Sequence, residues 1–203
     1  MQFQKEEFKQ KQKEIQKRLK QFQSLDDKQI YKEFLFCLLT PQSKAQKCWQ
    51  AIESLSALKE SDWTLENISN TLKSKTRFHN TKALRVYKAP QTFQEITLLL
   101  KDNSLPIPSL RNSISQKVNG YGLKESSHFL RNIGLSNNQI AILDRHILKN
   151  LKLNNLIKND KITSNKHYLE LEDLYLNYSK LINIPADELD LFFWQKENGE
   201  IFK

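Results

Sequence analysis

Apolar residues recur at intervals of three and four along almost the whole chain, which is the spacing of one face of an α-helix. The first stripe of this kind comprises Phe8, Ile15, Leu19 and Phe22. The alternation of apolar and polar residues that is typical of β-strands is hardly seen. The pattern therefore predicts an all-α fold of roughly ten helices with short connectors.

Start and stop signals predict where these helices begin and end. Ser24, with Asp27 three residues later, marks the start of a second helix, and Thr40 and Pro41 mark its end because proline disfavours helix before it. Thr40 is expected to cap the third helix, with Pro41 in its first turn. Further helical patterns cover residues 65–72, 81–87, 93–100, 109–118, 124–132, 144–151, 164–182 and 186–194. A proline-rich turn at 105–108 is expected to join two lobes.

Composition excludes several classes of protein. The chain has 203 residues, of which 38% are hydrophobic, enough to build one core or two small lobes. It contains neither a membrane-spanning apolar stretch nor the apolar segment of a secretion signal, so we expect an intracellular protein of the cytoplasm and nucleoid. Cys37 and Cys48 do not form a paired pattern, and we expect both to be buried apolar residues that bind no metal.

The net charge of +9 favours a polyanionic partner. Residues 71–90 carry six basic side chains and no acidic one, which makes them a candidate phosphate-binding segment. These are Lys73, Lys75, Arg77, Lys82, Arg85 and Lys88. Charge alone supports ordinary solvated helices about equally well, so motifs must decide between the two interpretations.

Three of the four glycines lie within fifteen residues, at Gly120, Gly122 and Gly134. Gly120 and Gly122 separate two helical patterns and are expected to adopt positive φ angles in a tight hairpin. The backbone amides of the following helix start would then suit a DNA phosphate. An ordinary turn between two helices is the alternative. Gly134 is predicted to end a helix.

Lys124 and Asp144, which both follow the hairpin glycines Gly120 and Gly122, are candidates for catalysis. Lys124 follows the hairpin directly, and Asp144 comes twenty residues later at the predicted start of a helix. A carboxylate at that position accepts backbone hydrogen bonds and can stabilise positive charge on a neighbouring sugar. Taken alone, each residue is more often structural than catalytic.

Together, the glycine hairpin, Lys124 and Asp144 resemble the helix-hairpin-helix DNA glycosylases, in which a hairpin ends in lysine and an aspartate follows after a helix and a short loop. Four longer runs are similar to the archaeal and bacterial 8-oxoguanine DNA glycosylase/AP lyases of the second class. These runs are LLTPQSKA at 38–45, KESSHFLRNIG at 124–134, DRHIL at 144–148 and GEIFK at 199–203. The resemblance spans nearly the whole chain after residues 1–23.

The resemblance implies a single catalytic unit, residues 1–203, of two helical lobes with a lesion pocket between them and a helix-hairpin-helix at 109–134. The basic, glutamine-rich helix at 1–23 contributes little to the assignment. A monomer that acts on double-stranded DNA containing 8-oxoguanine is expected. The damaged nucleotide is flipped out, the Lys124 amine attacks C1′ of its sugar, and a Schiff base leads to β-elimination and strand cleavage. The amine must be partly desolvated, or lie near a positive helix end, to be neutral.

The resemblance also suggests which side chains recognise the lesion and the DNA. Trp194 and Phe78 are predicted to stack on the flipped base, and Lys203 to distinguish 8-oxoguanine from guanine, because its carboxylate can accept the hydrogen that only the lesion carries on N7. Gln42 is expected to fill the gap that the flipped nucleotide leaves. The remaining predicted DNA contacts are Gly120, Gly122, Arg77, Lys82, Arg85 and Arg145.

No metal is required for this chemistry, although hairpins of this kind can hold a monovalent cation through backbone carbonyls. His128 and His146 are expected to be structural. The two cysteines exclude the iron-sulfur relatives, which need four. Two alternatives stay open: a glycosylase/lyase for another oxidised base, and a non-catalytic helix-hairpin-helix DNA-binding module, which would not need Lys124 and Asp144 together.

Overall fold

The computed structural model describes residues 5–102 and 104–203, and within them it contains α-helices and no β-strand. The ten α-helices are α1 Lys5–Phe22, α2 Asp27–Leu39, α3 Ala45–Ser56, α4 Leu65–Lys73, α5 His79–Leu100, α6 Ile107–Lys117, α7 Leu123–Asn132, α8 Arg145–Leu153, α9 Asn165–Leu181 and α10 Ala186–Asn198. One short 3-10 turn covers Glu60–Asp62. The predicted all-α fold is therefore confirmed. None of the helices in the described ranges is long and apolar enough to cross a membrane.

The chain divides into two compact units. The first comprises Met1–Leu25 and Leu130–Lys203, and the second comprises Asp26–Phe129. The expectation that the proline-rich turn at 105–108 joins two lobes is wrong, because this turn lies inside the second unit, where α6 packs against α5. The boundaries fall instead just before α2 and within α7.

The first unit is built around α10, against which α1, α8 and α9 pack. The rings of Phe8 in α1 and Phe192 in α10 pack edge to face, with their centres 5.5 Å apart, and both side chains are buried. Arg131 forms a buried ion pair with Asp190 at 3.0 Å, and its guanidinium lies 5.3 Å from the ring centre of Phe22. This one cation therefore links α7 to both α10 and α1.

The second unit is built around α5, which contacts α2, α4 and α6. Its aromatic centre is Phe34, whose ring lies 5.3 Å from that of Phe93, 5.5 Å from that of Tyr121 and 5.7 Å from that of Phe129. Phe34 is fully buried. Aromatic packing thus ties Phe93 of α5, Tyr121 between α6 and α7, and Phe129 of α7 to α2.

The predicted starts of α2 and α3 differ from the structure. Asp26, not Ser24, caps α2 through a reciprocal pair of hydrogen bonds with Gln29. Thr40 does not cap α3, because its own amide donates to the Phe36 carbonyl and it ends α2 instead. The third helix begins only at Ala45. Residues 40–43 form a turn between the two helices, in which the Ser43 amide donates to the Thr40 carbonyl at 2.9 Å.

The helical patterns at 81–87 and 93–100 belong to one continuous helix, α5, with Pro90 inside it. Proline removes one backbone donor and disfavours the helix interior, which is why the sequence predicts a break here. The packed contacts of the neighbouring Ala89 and Val86, both buried, outweigh this local preference.

Gly134 ends α7 as predicted. Its φ is +73°, the Leu135 amide donates to the Leu130 carbonyl at 2.8 Å, and the Gly134 amide donates to the Arg131 carbonyl at 3.0 Å. This is the Schellman arrangement, which requires a left-handed residue at its end. An added Cβ would also lie 2.8 Å from the Gln23 Cα. Both the conformation and the lack of space therefore require glycine.

We predict that Gly134→Ala destabilises the protein more than Gly199→Ala does. Both residues have positive φ, at +73° and +82°, but only at Gly134 would the new methyl group meet backbone. The conformational penalty alone is roughly 1–2 kcal/mol, and the clash adds roughly 1–3 kcal/mol at Gly134 only. At about 2–4 °C per kcal/mol, calorimetry should show a melting temperature several degrees lower for Gly134→Ala. Equal melting temperatures would contradict the steric argument.

Candidate active site

The hairpin between α6 and α7, residues 118–122, is closed by a hydrogen bond from the Tyr121 amide to the Val118 carbonyl at 3.0 Å. Gly120 has a φ of +102°, a backbone conformation that residues with side chains rarely adopt. The Tyr121 ring is buried, and its hydroxyl donates to the Phe34 carbonyl at 2.7 Å. Burial raises the pKa of the Tyr121 phenol well above its usual value, so this group remains a hydrogen-bond donor. The hairpin is therefore anchored to α2.

The expectation for the second hairpin glycine is wrong. Gly122 is not among the residues with positive φ, and its amide is already used, because it donates to the Glu125 carboxylate at 3.1 Å. Gly120 alone supplies the unusual conformation. A side chain there would displace the end of the Arg85 side chain, whose Nε lies 2.7 Å from the position of an added Cβ. Arg85 thus lies directly against the hairpin backbone.

Lys124 is the second residue of α7, and about a quarter of its side chain is exposed. Its Nζ lies 2.8 Å from the Glu125 carboxylate, the same group that accepts the Gly122 amide. The hairpin therefore presents a partly buried ammonium at the start of a helix, with an anionic partner beside it. Such a lysine can act as a nucleophile once it has lost a proton.

Asp144 caps α8, as the sequence predicts. One carboxylate oxygen accepts hydrogen bonds from the amides of His146 at 2.8 Å and Ile147 at 2.9 Å. These bonds hold the carboxylate in one orientation at the helix start. Asp144 belongs to the first unit and Lys124 to the second.

Two exposed residues of the second unit, Gln42 and Phe78, have left-handed backbone conformations, with φ of +54° and +57°. Gln42 occupies the 40–43 turn, and Phe78 immediately precedes α5 with 55% of its surface exposed. Left-handed conformations cost residues with side chains roughly 1–2 kcal/mol. Such strain persists only where the surrounding structure holds it, and it is frequent at functional sites.

The prediction that Lys82 contacts a DNA phosphate must be corrected, because its side chain is buried. Its Nζ donates to the Leu39 carbonyl at 2.7 Å, the Pro41 carbonyl at 2.8 Å and the Ser43 hydroxyl at 2.8 Å. Burial lowers the pKa of Lys82 to about 8; the Cys48 thiol opposes this shift, and the nearby cations Arg85, Lys124 and Arg77 add to it. The Lys82 ammonium therefore forms hydrogen bonds inside the second unit and is not available at its surface.

Of the three other cations predicted to contact DNA, Arg77 and Arg145 are exposed and Arg85 is half-buried against the hairpin. Arg77 lies beside Phe78, with its guanidinium 5.3 Å from the ring centre. The side chain of Arg145, at the start of α8, lies 3.3 Å from a ring nitrogen of His146. Their exposure is compatible with the predicted backbone contacts, which stay predictions.

In the first unit, the last residues of the chain fold back onto α10 and α1. The Phe202 ring lies 6.1 Å from that of Trp194, and Arg18 donates from Nε to the Phe202 carbonyl at 2.7 Å. Lys203 is buried to 96%, with its Nζ 5.9 Å from the Phe202 ring centre. Trp194 itself is half-buried and meets the His146 ring edge to face at 6.5 Å.

Three supporting residues were not predicted. In the second unit Tyr121 anchors the hairpin and Glu125 pairs with Lys124, and in the first unit Arg18 holds the C-terminal segment. Glu125 carried a usable signal, because an acid three residues after a helix-capping position often bonds the capping residue's amide. The partners of Tyr121 and Arg18 are carbonyls distant in sequence, at Phe34 and Phe202, and no local pattern indicates them.

A sequence profile described as 8-oxoguanine DNA glycosylase matches residues 15–184. The chain is 39% identical to an 8-oxoguanine DNA glycosylase/AP lyase of Fusobacterium nucleatum over 93% of this chain and 91% of that protein. It is 32% identical to the protein of the same name from Methanocaldococcus jannaschii, again over 93% and 91%.

A solved structure shows the same fold. The crystal structure of the Methanocaldococcus jannaschii 8-oxoguanine glycosylase/lyase in complex with a 15mer DNA containing 8-oxoguanine matches with a TM-score of 0.84 and 27% identity, covering 98% of both chains. The predicted helix-hairpin-helix glycosylase fold is thereby confirmed. The profile match covers most of the chain, and the curated relatives cover nearly all of it. The chain belongs to the 8-oxoguanine DNA glycosylase family.

Proposed function

We propose that this protein excises 8-oxoguanine from double-stranded DNA and then cleaves the strand as an AP lyase, in base excision repair. The observation that carries the proposal is the similarity, over 98% of the chain, to a glycosylase/lyase whose solved complex contains 8-oxoguanine DNA. The hairpin supports it, because it ends in a partly buried lysine at a helix start. A panel of duplexes carrying different oxidised bases tests it, and excision of an oxidised pyrimidine in preference to 8-oxoguanine would contradict it.

Lys124 is the proposed nucleophile. Its ammonium first loses a proton, for which the Glu125 carboxylate at 2.8 Å is an available acceptor. The neutral amine attacks C1′ as the bond from C1′ to the base breaks, and the base leaves with the bonding electron pair and takes up a proton. The C1′ amine then loses a proton, the sugar ring opens, and a Schiff base forms. Removal of a C2′ proton expels the 3′ phosphate, which is the lyase step.

Asp144 is the proposed electrostatic partner of this reaction. As the base departs, the sugar acquires positive charge, and a preoriented carboxylate stabilises that charge without having to reorganise. The two amide hydrogen bonds to the Asp144 oxygen hold it in such an orientation. The role therefore depends on the negative charge as well as on the helix cap.

Trp194, Phe78 and Lys203 are the proposed recognition residues. Trp194 offers one half-buried aromatic face, and Phe78 offers an exposed ring on a strained backbone. The proposal assigns to Lys203 the carboxylate that accepts the N7 hydrogen of 8-oxoguanine and repels the N7 lone pair of guanine. Arg18 and Phe202 hold the segment that ends in this residue.

The chemistry proposed here is carried by an amine and a carboxylate. A monovalent cation bound by backbone carbonyls of the hairpin, a monomeric state and a location at the nucleoid complete the proposal.

We predict that Lys124→Gln retains lesion binding but loses base excision and borohydride trapping, because it removes the amine and keeps a side chain of similar length. The single-turnover rate should fall on the order of 10⁴-fold or more, as expected when a nucleophile is removed. Lys149→Gln, on an exposed surface of α8, is the matched control and should trap normally. Trapping by the Lys124 variant would identify a different nucleophile.

For Asp144→Asn we predict an excision rate lower by roughly 10²–10³-fold with a nearly unchanged melting temperature. Asparagine still caps the helix but offers no negative charge to the sugar. Single-turnover kinetics and thermal melting should be measured together. An unchanged rate would reduce Asp144 to a structural cap.

Deletion of Lys203 should lower the discrimination between 8-oxoguanine and guanine more than it lowers the melting temperature. Lys203→Met separates the two charges of this residue, because it removes the ammonium and keeps the carboxylate. If the carboxylate makes the distinction, Lys203→Met should retain most of the selectivity that the deletion loses. Excision of both bases, measured for the three chains, checks this, and full selectivity after deletion would place recognition elsewhere.

A further inference from the structure

Lys82 is a buried cation that the proposed chemistry does not use. Only 2% of its surface is exposed, although an ammonium is costly to remove from water. A buried lysine is retained only if its hydrogen-bonding capacity is satisfied. The hydrogen-bond acceptors of the Lys82 ammonium therefore indicate its structural role.

All three partners of the Lys82 ammonium belong to one short stretch, the end of α2 and the 40–43 turn. The Leu39 and Pro41 carbonyls and the Ser43 hydroxyl accept at 2.7, 2.8 and 2.8 Å. An ammonium has three donors, so this set uses its whole capacity. The three acceptors flank Gln42, the exposed left-handed residue of the turn, on both sides.

The same cluster holds the second exposed left-handed residue. The Ser43 hydroxyl also accepts the Arg77 amide at 3.0 Å, and Arg77 immediately precedes Phe78. Lys82 itself lies in the first turn of α5, where its amide bonds the Phe78 carbonyl at 3.0 Å. Ser43 and Lys82 thus connect the backbone at Gln42 with the backbone at Phe78, all within the second unit.

We propose that Lys82 is a positioning residue that holds the 40–43 turn against the start of α5, so that Gln42 and Phe78 meet DNA as one preset edge. This inference rests on the proposed function, because it presupposes that this edge contacts lesion-containing DNA. Residues fixed before binding lose less conformational freedom on binding, which favours insertion into the gap of a flipped nucleotide. The left-handed conformations at both positions are kept in place by the ammonium.

The test uses a duplex with a tetrahydrofuran abasic analogue and 2-aminopurine as the opposite base, whose fluorescence rises when it loses stacking. Because no base is excised, the readout does not depend on Lys124 chemistry. At saturating protein, the wild-type chain should raise the fluorescence, and both Gln42→Ala and Lys82→Met should lose most of the rise. Cys48→Ala is the matched control: its buried thiol also donates to the Leu39 carbonyl but contacts neither Pro41 nor Ser43 among its described hydrogen bonds, and it should keep the signal.

A double-mutant cycle on the apparent affinity for this duplex supplies the second readout. If Lys82 acts through Gln42, each single variant should bind the duplex roughly 10-fold more weakly than the wild-type chain. The double variant should then bind about as weakly as either single variant, rather than about 100-fold more weakly than the wild-type chain. Losses that multiply would overturn the proposal, as would an unchanged fluorescence rise in Lys82→Met. Should Lys82→Met fail to fold, Ser43→Ala removes one acceptor and leaves the ammonium, and its loss should likewise not multiply with that of Gln42→Ala.

The proposed function and this inference fail in different ways. If wild-type protein excises 8-oxoguanine but Gln42→Ala leaves the fluorescence rise intact, the edge is not used and only the inference falls. If the wild-type chain and its variants show the expected fluorescence pattern but 8-oxoguanine is not excised, the inference stands and the proposed lesion is wrong.

Discussion

The position of Lys124 depends on one backbone conformation, the positive φ of Gly120. Glycine adopts this conformation at no steric cost, and it lets the chain turn within five residues from α6 into α7. Tyr121 then anchors the turn by its hydrogen bond to the Phe34 carbonyl. A glycine, a buried phenol and an aromatic core therefore determine where the amine at the start of α7 lies.

Three of the groups assigned to the proposed site lie at helix ends. Lys124 begins α7, Asp144 caps α8, and Phe78 precedes α5. Helix ends carry backbone groups without helical partners, so they provide oriented donors and local charge. A rigid helix beyond each end holds its terminal side chain in place, which a long loop would not do.

Positive charge serves two purposes in this chain. Arg77 and Arg145 are exposed and available to a polyanion, whereas Lys82 and Arg131 are buried and hold neighbouring segments together. Arg131 pairs with Asp190, and Lys82 bonds three neutral acceptors. The net charge of the sequence therefore exceeds the positive charge that is available at the surface, because some of the basic side chains are buried.

The sequence by itself determined the helical fold, the hairpin, the Asp144 cap and the order of Lys124 and Asp144, because periodicity, glycine and capping are local properties. Short-range signals gave wrong starts for α2 and α3. They also predicted a break in α5 near Pro90, where the packing of neighbouring residues outweighs the local preference of proline. Only the tertiary structure decided that Lys82 is buried, that Arg18 holds the Phe202 carbonyl, and that Tyr121 bonds Phe34. These contacts join residues more than 40 positions apart, and burial depends on which elements pack together, a property that no local pattern carries.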